Sequence, residues 1–194
     1  MSRLLTWLAA LLLAVTLAAC SPGEKLTFKG TDLTGADFGK PFTLTGQDGK
    51  PHSLADYKGK AVVLFFGYTH CPDVCPTTML EYQQVMKQLG KDADQVQVLF
   101  ISVDPERDTP QVLAGYLPFF DKRFMGLTGE PELVKSVAAQ YKVVAQKQPT
   151  AGGGYSVDHS AGSYVFDRNG QLRVYMPYNT PVADIAHDLQ QLLR

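Results

Sequence analysis

Residues 61–76, AVVLFFGYTHCPDVCP, decide the fold of this chain. The first six residues are all apolar, which is typical of a strand that helices cover on both faces of a sheet. A turn with two cysteines, Cys71 and Cys75, follows. Pro76 is favoured as the first residue of a helix, and it disfavours a helical conformation at Cys75. The stretch therefore predicts a strand, a tight turn that holds both thiols, and a helix that starts at the turn.

Further strands and helices are predicted on both sides of this unit. Hairpins are expected at residues 42–54 and 163–175, and residues 96–103 repeat the apolar pattern of a buried strand. Thr78 and Glu81 fit a capping box near the start of a helix. Helices are expected at residues 77–89, 110–120 and 131–141 and from residue 181 onward. This order predicts an α/β sandwich of the thioredoxin-like type, with a central mixed sheet flanked by helices and extra hairpin elements.

The N-terminus has the pattern of a bacterial lipoprotein signal. An apolar stretch follows a basic start and leads to Leu-Ala-Ala-Cys at residues 17–20. This pattern predicts a signal peptide of residues 1–19, cleavage before Cys20 and a lipid on Cys20. The apolar stretch is short for a membrane span of about 20 residues, and an uncleaved signal anchor is the alternative. Residues 20–34 then read as a lipidated membrane tether, and residues 35–194 as the folded domain.

Size and charge indicate one domain without a nucleic-acid partner. The sequence has 194 residues, and what remains after the signal is long enough for a single core. Lysine and arginine number 18 against 19 aspartates and glutamates, which gives a net charge of -1. Such a balance provides no basic surface for nucleic acid. Because of the signal, we expect the domain on the periplasmic side of a bacterial membrane.

Cys71 and Cys75 are the two cysteines expected in the mature domain. A structural disulfide between them would close a loop too short to restrict the unfolded chain strongly, in a domain large enough to fold without one. The positive end of the following helix favours thiolates. Two thiolates can form a reversible disulfide, as a redox pair, or bind a soft metal. The two thiols by themselves leave both possibilities open.

His159 adds a nitrogen donor to the two sulfurs. It precedes the late hairpin, which in a thioredoxin-like sheet lies beside the strand that leads to the cysteines. Residues 155–164 contain no proline, whereas ordinary thioredoxin-like oxidoreductases carry a cis-proline in this loop. Two thiolates and one imidazole suit copper, and with a water molecule they also suit zinc. The donor set therefore predicts a metal site and leaves the metal open.

Three aspartates are candidates for contacts around these ligands. Asp73 lies in the cysteine turn, Asp158 could orient His159 by a hydrogen bond, and Asp104 follows a strand end at the same edge of the sheet. Asp73 and Asp104 also have an ordinary structural explanation as turn or capping residues, and for Asp158 adjacency to His159 in the sequence leaves the geometry of such a bond open. The glycine-rich segment at residues 147–155 leads into His159, and we expect it to be flexible enough to let the histidine move.

Three motifs resemble the Sco (SenC/PrrC) family of cytochrome c oxidase assembly proteins. They are GYTHCPDVCPTT at residues 67–78, ISVDPERDTP at residues 101–110 and YSVDHSA at residues 155–161. The similarity extends from about residue 33 to the C-terminus. The resemblance implies a thioredoxin-like fold and one copper ion, Cu(I) or Cu(II), bound by Cys71, Cys75 and His159. It thus favours copper over zinc.

The resemblance also implies a function. Sco proteins help to assemble the dinuclear CuA centre of cytochrome c oxidase subunit II, by transferring copper, by reducing the cysteines of that centre, or by both. The implied partners are subunit II, a periplasmic copper donor and a thioredoxin-like reductant, and an oxidase partner favours the inner membrane. Such a protein is a metallochaperone or assembly factor, although it can also have thiol–disulfide oxidoreductase activity.

Two other functions would use the same residues. A general thiol–disulfide oxidoreductase or redox sensor would need Cys71 and Cys75 but not His159. A peroxide-reducing enzyme would carry a Pro-x-x-x-Thr-x-x-Cys motif, which has no counterpart before Cys71. Because a disulfide offers no thiolates, copper binding requires a reduced site.

Overall fold

An eight-stranded mixed sheet runs through the domain. The computed structural model describes residues 26–194, so the predicted signal peptide and Cys20 lie outside the described residues. The strands are β1 (Thr31–Asp32), β2 (Thr43–Gly46), β3 (Pro51–Ser53), β4 (Ala61–Gly67), β5 (Val96–Ser102), β6 (Met125–Thr128), β7 (Ala145–Pro149), β8 (Tyr155–His159), β9 (Ser163–Phe166) and β10 (Leu172–Met176). The helices are α1 (Val74–Leu89), α2 (Pro110–Tyr116), α3 (Pro131–Gln140) and α4 (Val182–Leu193). Within residues 26–194, no helix has the length and apolar character needed to cross a membrane.

The strand order places β4 in the middle of the sheet. It reads β1-β10-β9-β4-β5-β6-β2-β3. β4, β5 and β6 are parallel, and the other neighbouring pairs are antiparallel. β7 and β8 form a separate two-stranded hairpin. This mixed sheet between helices confirms the predicted thioredoxin-like sandwich.

Both faces of β4 are covered, as its apolar run predicts. All seven of its residues are buried. Val63 and Phe65 enter the core that α1 and α4 cover, whereas Leu64 and Phe66 enter the core that α3 covers. Burial of each side chain of this size stabilises the fold by about 1.5–3 kcal/mol. β4 is therefore held between two cores, and its carboxyl end is a rigid support for a site.

Helix α1 begins earlier than the sequence predicts. Its first residue is Val74, after the N-cap residue Asp73, so Cys75 is helical and Pro76 is the third helical residue instead of the first. Proline fits there because the first four N–H groups of a helix have no partner within it. Burial of Cys75 outweighs the preference of a residue before proline for extended backbone. The predicted capping box is also wrong, because Thr78 is buried inside the helix.

The other predicted elements are present, with small shifts at their ends. The hairpins β2–β3 and β9–β10 and the buried strand β5 lie where the patterns place them. Helix α2 ends at Tyr116 and continues as a 3-10 turn at Leu117–Phe119, because Pro118 lacks the N–H that a longer helix would need. Helix α3 ends at Gln140, and helix α4 begins at Val182.

Four strands are not predicted by any sequence pattern: β1, β6, β7 and β8. The first of them lies in the range 20–34, which the sequence suggests is a tether. Thr31 and Asp32 pair with Tyr175 and Val174 of β10. The described part of that range thus packs on the domain, and the folded part begins before residue 35.

The glycine-rich segment before His159 forms a hairpin. Its ends belong to β7 and β8, and Gly153 and Gly154 both adopt a φ of 82° in the turn between them. Glycine is suited to this left-handed region because it has no Cβ atom. The segment is therefore regular on both sides of its turn, and the movement of His159 stays a prediction.

Candidate metal centre

The two thiols lie at the carboxyl end of β4. The N–H of Cys71 donates to the carbonyl oxygen of Tyr68 at 3.2 Å and closes the turn after the strand. Cys75 lies in the first turn of α1, and its N–H faces the sulfur of Cys71 at 3.5 Å. Cys75 is fully buried, Cys71 is partly exposed, and both are free cysteines. The start of the helix therefore brings both sulfurs to one point.

Gly67 makes room for the buried sulfur. It is the last residue of β4, and a Cβ atom there would lie 2.9 Å from Sγ of Cys75 and 2.7 Å from the ring of Phe65. Both distances are too short for a close-packed interior to accept without movement. Only glycine at this position lets Cys75 pack directly against the strand.

His159 supplies the third donor atom from the end of β8. Antiparallel pairing of β9 with β4 places Ser163 beside Phe65, so the chain just before β9 reaches the cysteine turn. Nε2 of His159 lies 3.3 Å from Sγ of Cys75. Its Nδ1 donates to the carbonyl oxygen of Ser160 at 3.0 Å, which leaves the lone pair on Nε2 facing the thiols. Burial lowers the pKa of His159, so the neutral ring is favoured.

Two aromatic rings hold the imidazole in place. Phe65 and Tyr68 both meet the ring of His159 edge-on, with centroid separations of 6.2 Å and 5.8 Å. The hydroxyl oxygen of Tyr68 also accepts the N–H of Val157, two residues before the histidine, at 3.2 Å. Tyr68 thus contacts both the ring and the strand that carries it, and the orientation of the donor is fixed.

The three donor atoms are close enough to bind a single ion. Sγ of Cys71, Sγ of Cys75 and a ring nitrogen of His159 all lie within 4.8 Å of one another. Metal–ligand bonds of about 2.0–2.3 Å fit between donors at this spacing. Burial raises the pKa of the Cys75 thiol, so binding of a cation releases a proton from it. A pocket of about 450 Å³, lined by Cys71 and His159 among others, gives access from solvent.

A known protein family matches nearly the whole described chain. The SCO1/SenC family model matches residues 30–194. The chain belongs to the SCO1/SenC family. The resemblance that the three sequence motifs indicate is thereby confirmed.

Relatives of this SCO1/SenC protein include eukaryotic and bacterial members. Protein SCO2, mitochondrial, of Saccharomyces cerevisiae is 43% identical over 137 residues, which cover 69% of this chain and 46% of that protein. This chain spans about half the length of the curated relatives it matches first. The structure of Bradyrhizobium japonicum ScoI with copper bound is 46% identical, with a TM-score of 0.74 over 80% of this chain and 99% of that chain. The apo Sco1 protein from Thermus thermophilus is 40% identical, with a TM-score of 0.77 over 88% and 100% of the two chains.

In this SCO1/SenC chain, two of the three candidate aspartates are exposed. Asp73 occupies the N-cap position of α1, and its carboxylate accepts the hydroxyl of Thr77 at 3.4 Å. Asp158 does not orient His159, because the Nδ1 proton of the ring goes to the carbonyl oxygen of Ser160. Neighbouring side chains of a strand point to opposite faces, which is why adjacency in sequence does not bring the carboxylate to the ring.

Asp104, the third candidate, bonds to the hairpin β7–β8 and not to one of the three proposed metal ligands. It is fully buried at the carboxyl end of β5 and forms an ion pair with Arg107. Its second oxygen accepts the hydroxyl of Tyr155 at 2.8 Å. Tyr155 is the first residue of β8, and His159 is the last. By holding Tyr155, Asp104 helps to fix the position of the histidine.

Asp108 is a site residue that the sequence patterns do not single out. Its buried carboxylate accepts the N–H of Thr69 at 2.9 Å, the hydroxyl of Thr69 at 2.6 Å and the hydroxyl of Ser102 at 2.7 Å. These bonds join the carboxyl ends of β4 and β5 and fix the backbone just before Cys71. Its place in the motif at residues 101–110 is the signal that the sequence offers for it.

Proposed function

We propose that this chain is a copper-binding assembly factor for cytochrome c oxidase. The proposal is carried by the cluster of Cys71, Cys75 and His159, whose donor atoms lie within 4.8 Å of one another. Two sulfurs and an imidazole suit Cu(I), and a weak fourth ligand or water would complete a Cu(II) site. The copper-bound ScoI structures from Bradyrhizobium japonicum and Arabidopsis thaliana support copper over zinc. One ion binds per chain.

The proposed task is assembly of the CuA centre of oxidase subunit II. Membership in the SCO1/SenC family supports this task. The chain transfers copper to the centre, reduces its cysteines, or does both. A periplasmic copper donor loads the site, and a thioredoxin-like reductant returns Cys71 and Cys75 to thiols, because the disulfide cannot bind the metal.

The unequal exposure of the two sulfurs gives transfer a direction. Cys75 is fully buried below the site, whereas Cys71 is partly exposed. A ligand of the partner therefore reaches the copper ion from the side of Cys71, and the bond to Cys75 is the later one to break.

A lipid on Cys20 is proposed to hold the domain on the periplasmic side of the inner membrane. The Leu-Ala-Ala-Cys pattern after an apolar stretch supports this location. Since residues 29–32 bond to the domain, few residues separate Cys20 from the part of the chain that packs on it. The domain then meets its partners close to the membrane surface.

Thiol–disulfide exchange is a second candidate function, and the same difference in exposure favours it. The thiolate of Cys71 would attack a disulfide of the partner, forming a mixed disulfide and releasing one partner thiolate. Cys75, once deprotonated, would then attack the sulfur of Cys71 and release the second partner sulfur. The partner gains two electrons, and this chain ends with a disulfide between Cys71 and Cys75.

Copper titration of the reduced full-length chain distinguishes these functions. The wild type is expected to bind one Cu(I). His159→Ala is expected to lose at least about tenfold in copper affinity, because substitution of a residue that only hydrogen-bonds to a metal ligand already costs about 10–100-fold. His52→Ala is the matched control, because His52 lies in β3 and bonds to Asp48 and Tyr57, away from the thiols. Its copper affinity is expected to equal that of the wild type.

Two outcomes would contradict the copper assignment. A wild-type chain that binds no copper tightly would exclude the assembly function as proposed, and full affinity in His159→Ala would exclude His159 as a ligand. Thiol–disulfide exchange with a model peptide can be measured in the same variants. If the wild type binds no copper, and exchange is lost in Cys71→Ser but kept in His159→Ala, the oxidoreductase function is favoured.

A further inference from the structure

Within residues 26–194, the hairpin that carries His159 shares no ladder of backbone hydrogen bonds with the main sheet. β7 and β8 pair with each other in a separate two-stranded sheet, and β7 is exposed along its whole length. Strands in a sheet are normally held by a ladder of backbone hydrogen bonds. Besides the chain links at its two ends, side-chain contacts hold this hairpin against the turn with the two cysteines, and buried Val157 is one of them.

We propose that Arg107 is the positioning residue that holds the hairpin, and with it His159, in place for metal binding. Arg107 lies in the loop between β5 and α2, and its Nη1 donates to the carbonyl oxygen of Tyr155 at 2.9 Å. Its guanidinium group also lies 3.9 Å from the centre of the Tyr155 ring. The inference rests on the proposed metal-binding function of the same site.

Asp104, Arg107 and Tyr155 form a cluster of mutual contacts. The buried carboxylate pairs with Arg107 and accepts the hydroxyl of Tyr155, so each of the three residues contacts the other two. Hydrogen bonds to charged groups are roughly twice as strong as those between neutral groups. The planar guanidinium bonds to Asp104 and Tyr155 and stacks on the ring at the same time, which the ammonium group of lysine does not reproduce.

The cluster extends from the start of β8 to the ligand at its end. The guanidinium carbon of Arg107 lies 5.7 Å from the centre of the Tyr68 ring. Tyr68 in turn binds the N–H of Val157 and meets His159 edge-on. Arg107 thus contacts Tyr155 at the start of β8 directly, and it lies near Tyr68, which contacts His159 at the end of that strand.

The exposed ion pair on the same hairpin is a weaker attachment. Lys147 lies 2.6 Å from Glu106, and both side chains are about half exposed. Exposed pairs of this kind contribute little to stability and are screened by salt. The cluster around buried Asp104 is therefore a stronger restraint on the hairpin than this exposed pair.

The restraint matters because metal–ligand bonds accept little displacement. Nε2 of His159 lies 3.3 Å from Sγ of Cys75, and both are expected to bind the same ion. Bond lengths in a functional site stay within about 0.2 Å of their ideal values. A hairpin released at Tyr155 would spread the position of His159 over a wider range and weaken its bond to the metal.

The test compares Arg107→Lys with Arg123→Lys as a matched control. Arg123 likewise donates two hydrogen bonds, but both go to the carboxylate of Asp121 near β6, away from the hairpin. Arg107→Lys keeps a charge beside Asp104 and is expected to bind Cu(I) about tenfold more weakly than wild type. The electron paramagnetic resonance spectrum of its Cu(II) form is expected to show altered nitrogen coupling. Arg123→Lys is expected to match the wild type in both.

A double-mutant cycle tests whether Arg107 acts through the histidine. In a His159→Ala background, Arg107→Lys is expected to cause no further loss of copper affinity. An equal loss in both backgrounds would overturn the proposal, as would unchanged affinity and spectrum in Arg107→Lys. Tyr155→Phe is a second variant, which removes the hydroxyl bond to Asp104 and leaves the ion pair of Asp104 with Arg107 in place. Its copper affinity is expected to fall as well, but by less than in Arg107→Lys.

Hydrogen exchange of the metal-free chain separates this inference from the copper assignment. Faster exchange at residues 145–159 in Arg107→Lys, with unchanged exchange in β4 and β5, is expected whether or not copper binds. Unchanged exchange of the hairpin would overturn the proposal even if the wild type binds copper. A wild-type chain that fails to bind copper would instead contradict the proposed function.

Discussion

Cys71 and Cys75 have the same side chain but different surroundings. Cys75 is fully buried between Gly67 and the helix, and burial raises its pKa, whereas Cys71 is partly exposed. A sequence can place two thiols four residues apart, but it does not say which one solvent reaches. The structure assigns the outer position to Cys71 and the inner position to Cys75.

Gly67→Ala tests the close contact between Gly67 and the sulfur of Cys75. The new Cβ would lie 2.9 Å from Sγ of Cys75 and 2.7 Å from the ring of Phe65. Overpacking of this kind costs about 1–3 kcal/mol. We expect the free energy of unfolding of the metal-free chain to fall by that amount in urea denaturation, and copper affinity to fall with it.

Gly115→Ala is the control for this substitution. Gly115 lies in α2, and apart from its chain neighbours and the backbone of its own helix no atom lies within 4 Å of a Cβ placed there. Alanine is favoured over glycine inside a helix by about 0.5–1 kcal/mol, so this variant is expected to be more stable than wild type. Equal changes in the two variants would contradict the role given to Gly67.

At the scale of elements, the N-terminal segment is attached by two different contacts. β1 pairs with β10, and the N–H groups of Lys29 and Gly30 donate to the carboxylate of Asp188 on α4 at 2.8–2.9 Å. Asp188 is fully buried. The segment closes one edge of the sheet, which would otherwise expose the unpaired backbone groups of β10.

Asp188→Ala is expected to release this segment. Two backbone N–H groups would lose their acceptor, and a lost partner of a buried group costs about 1–3 kcal/mol. We expect faster hydrogen exchange at residues 29–32 and a lower free energy of unfolding. Gln190→Ala, at an exposed position of the same helix, should change neither quantity. Protection of residues 29–32 as strong as in the wild type would show that strand pairing alone holds the segment.

At the scale of the whole molecule, three separate chain segments meet at one edge of the sheet. The parallel strands β4 and β5 bring the cysteine turn and the loop with Asp104 and Asp108 to the same end. The antiparallel strand β9 starts beside the end of β4 and brings His159 there as well. Sites of open α/β sheets gather at this end of parallel strands.

Metal binding to this edge is expected to stabilise the entire domain, and only in its reduced state. A ligand that binds the folded state at about a thousandfold excess over its Kd adds about 4 kcal/mol of stability. Calorimetry of the reduced chain should show a higher Tm with Cu(I) than without it. After oxidation of Cys71 and Cys75 the difference should vanish, because the disulfide offers no thiolates. Equal stabilisation of the oxidised chain would mean that copper binds elsewhere.

Local sequence patterns predicted the parts of the fold whose signals are local. The apolar run of β4, the hairpins and the helices depend on neighbouring residues, and their positions agree with the structure to within a few residues. β6 and β7 are short or polar and gain their pairing from strands distant in sequence, so no local pattern marks them. Helix α1 starts early because tertiary burial of Cys75 outweighs a local preference.

The sequence by itself determined the class of fold, the paired thiols of Cys71 and Cys75 and, through its motifs, the family. Only the tertiary structure brought His159, 84 positions after Cys75, to 3.3 Å from that sulfur. It also revealed the contacts of Asp108 with Thr69 and of Arg107 with Tyr155, which span 39 and 48 positions. The physical reason is that spacing along the chain fixes geometry within one turn or strand, whereas contacts between distant segments depend on which strands pair.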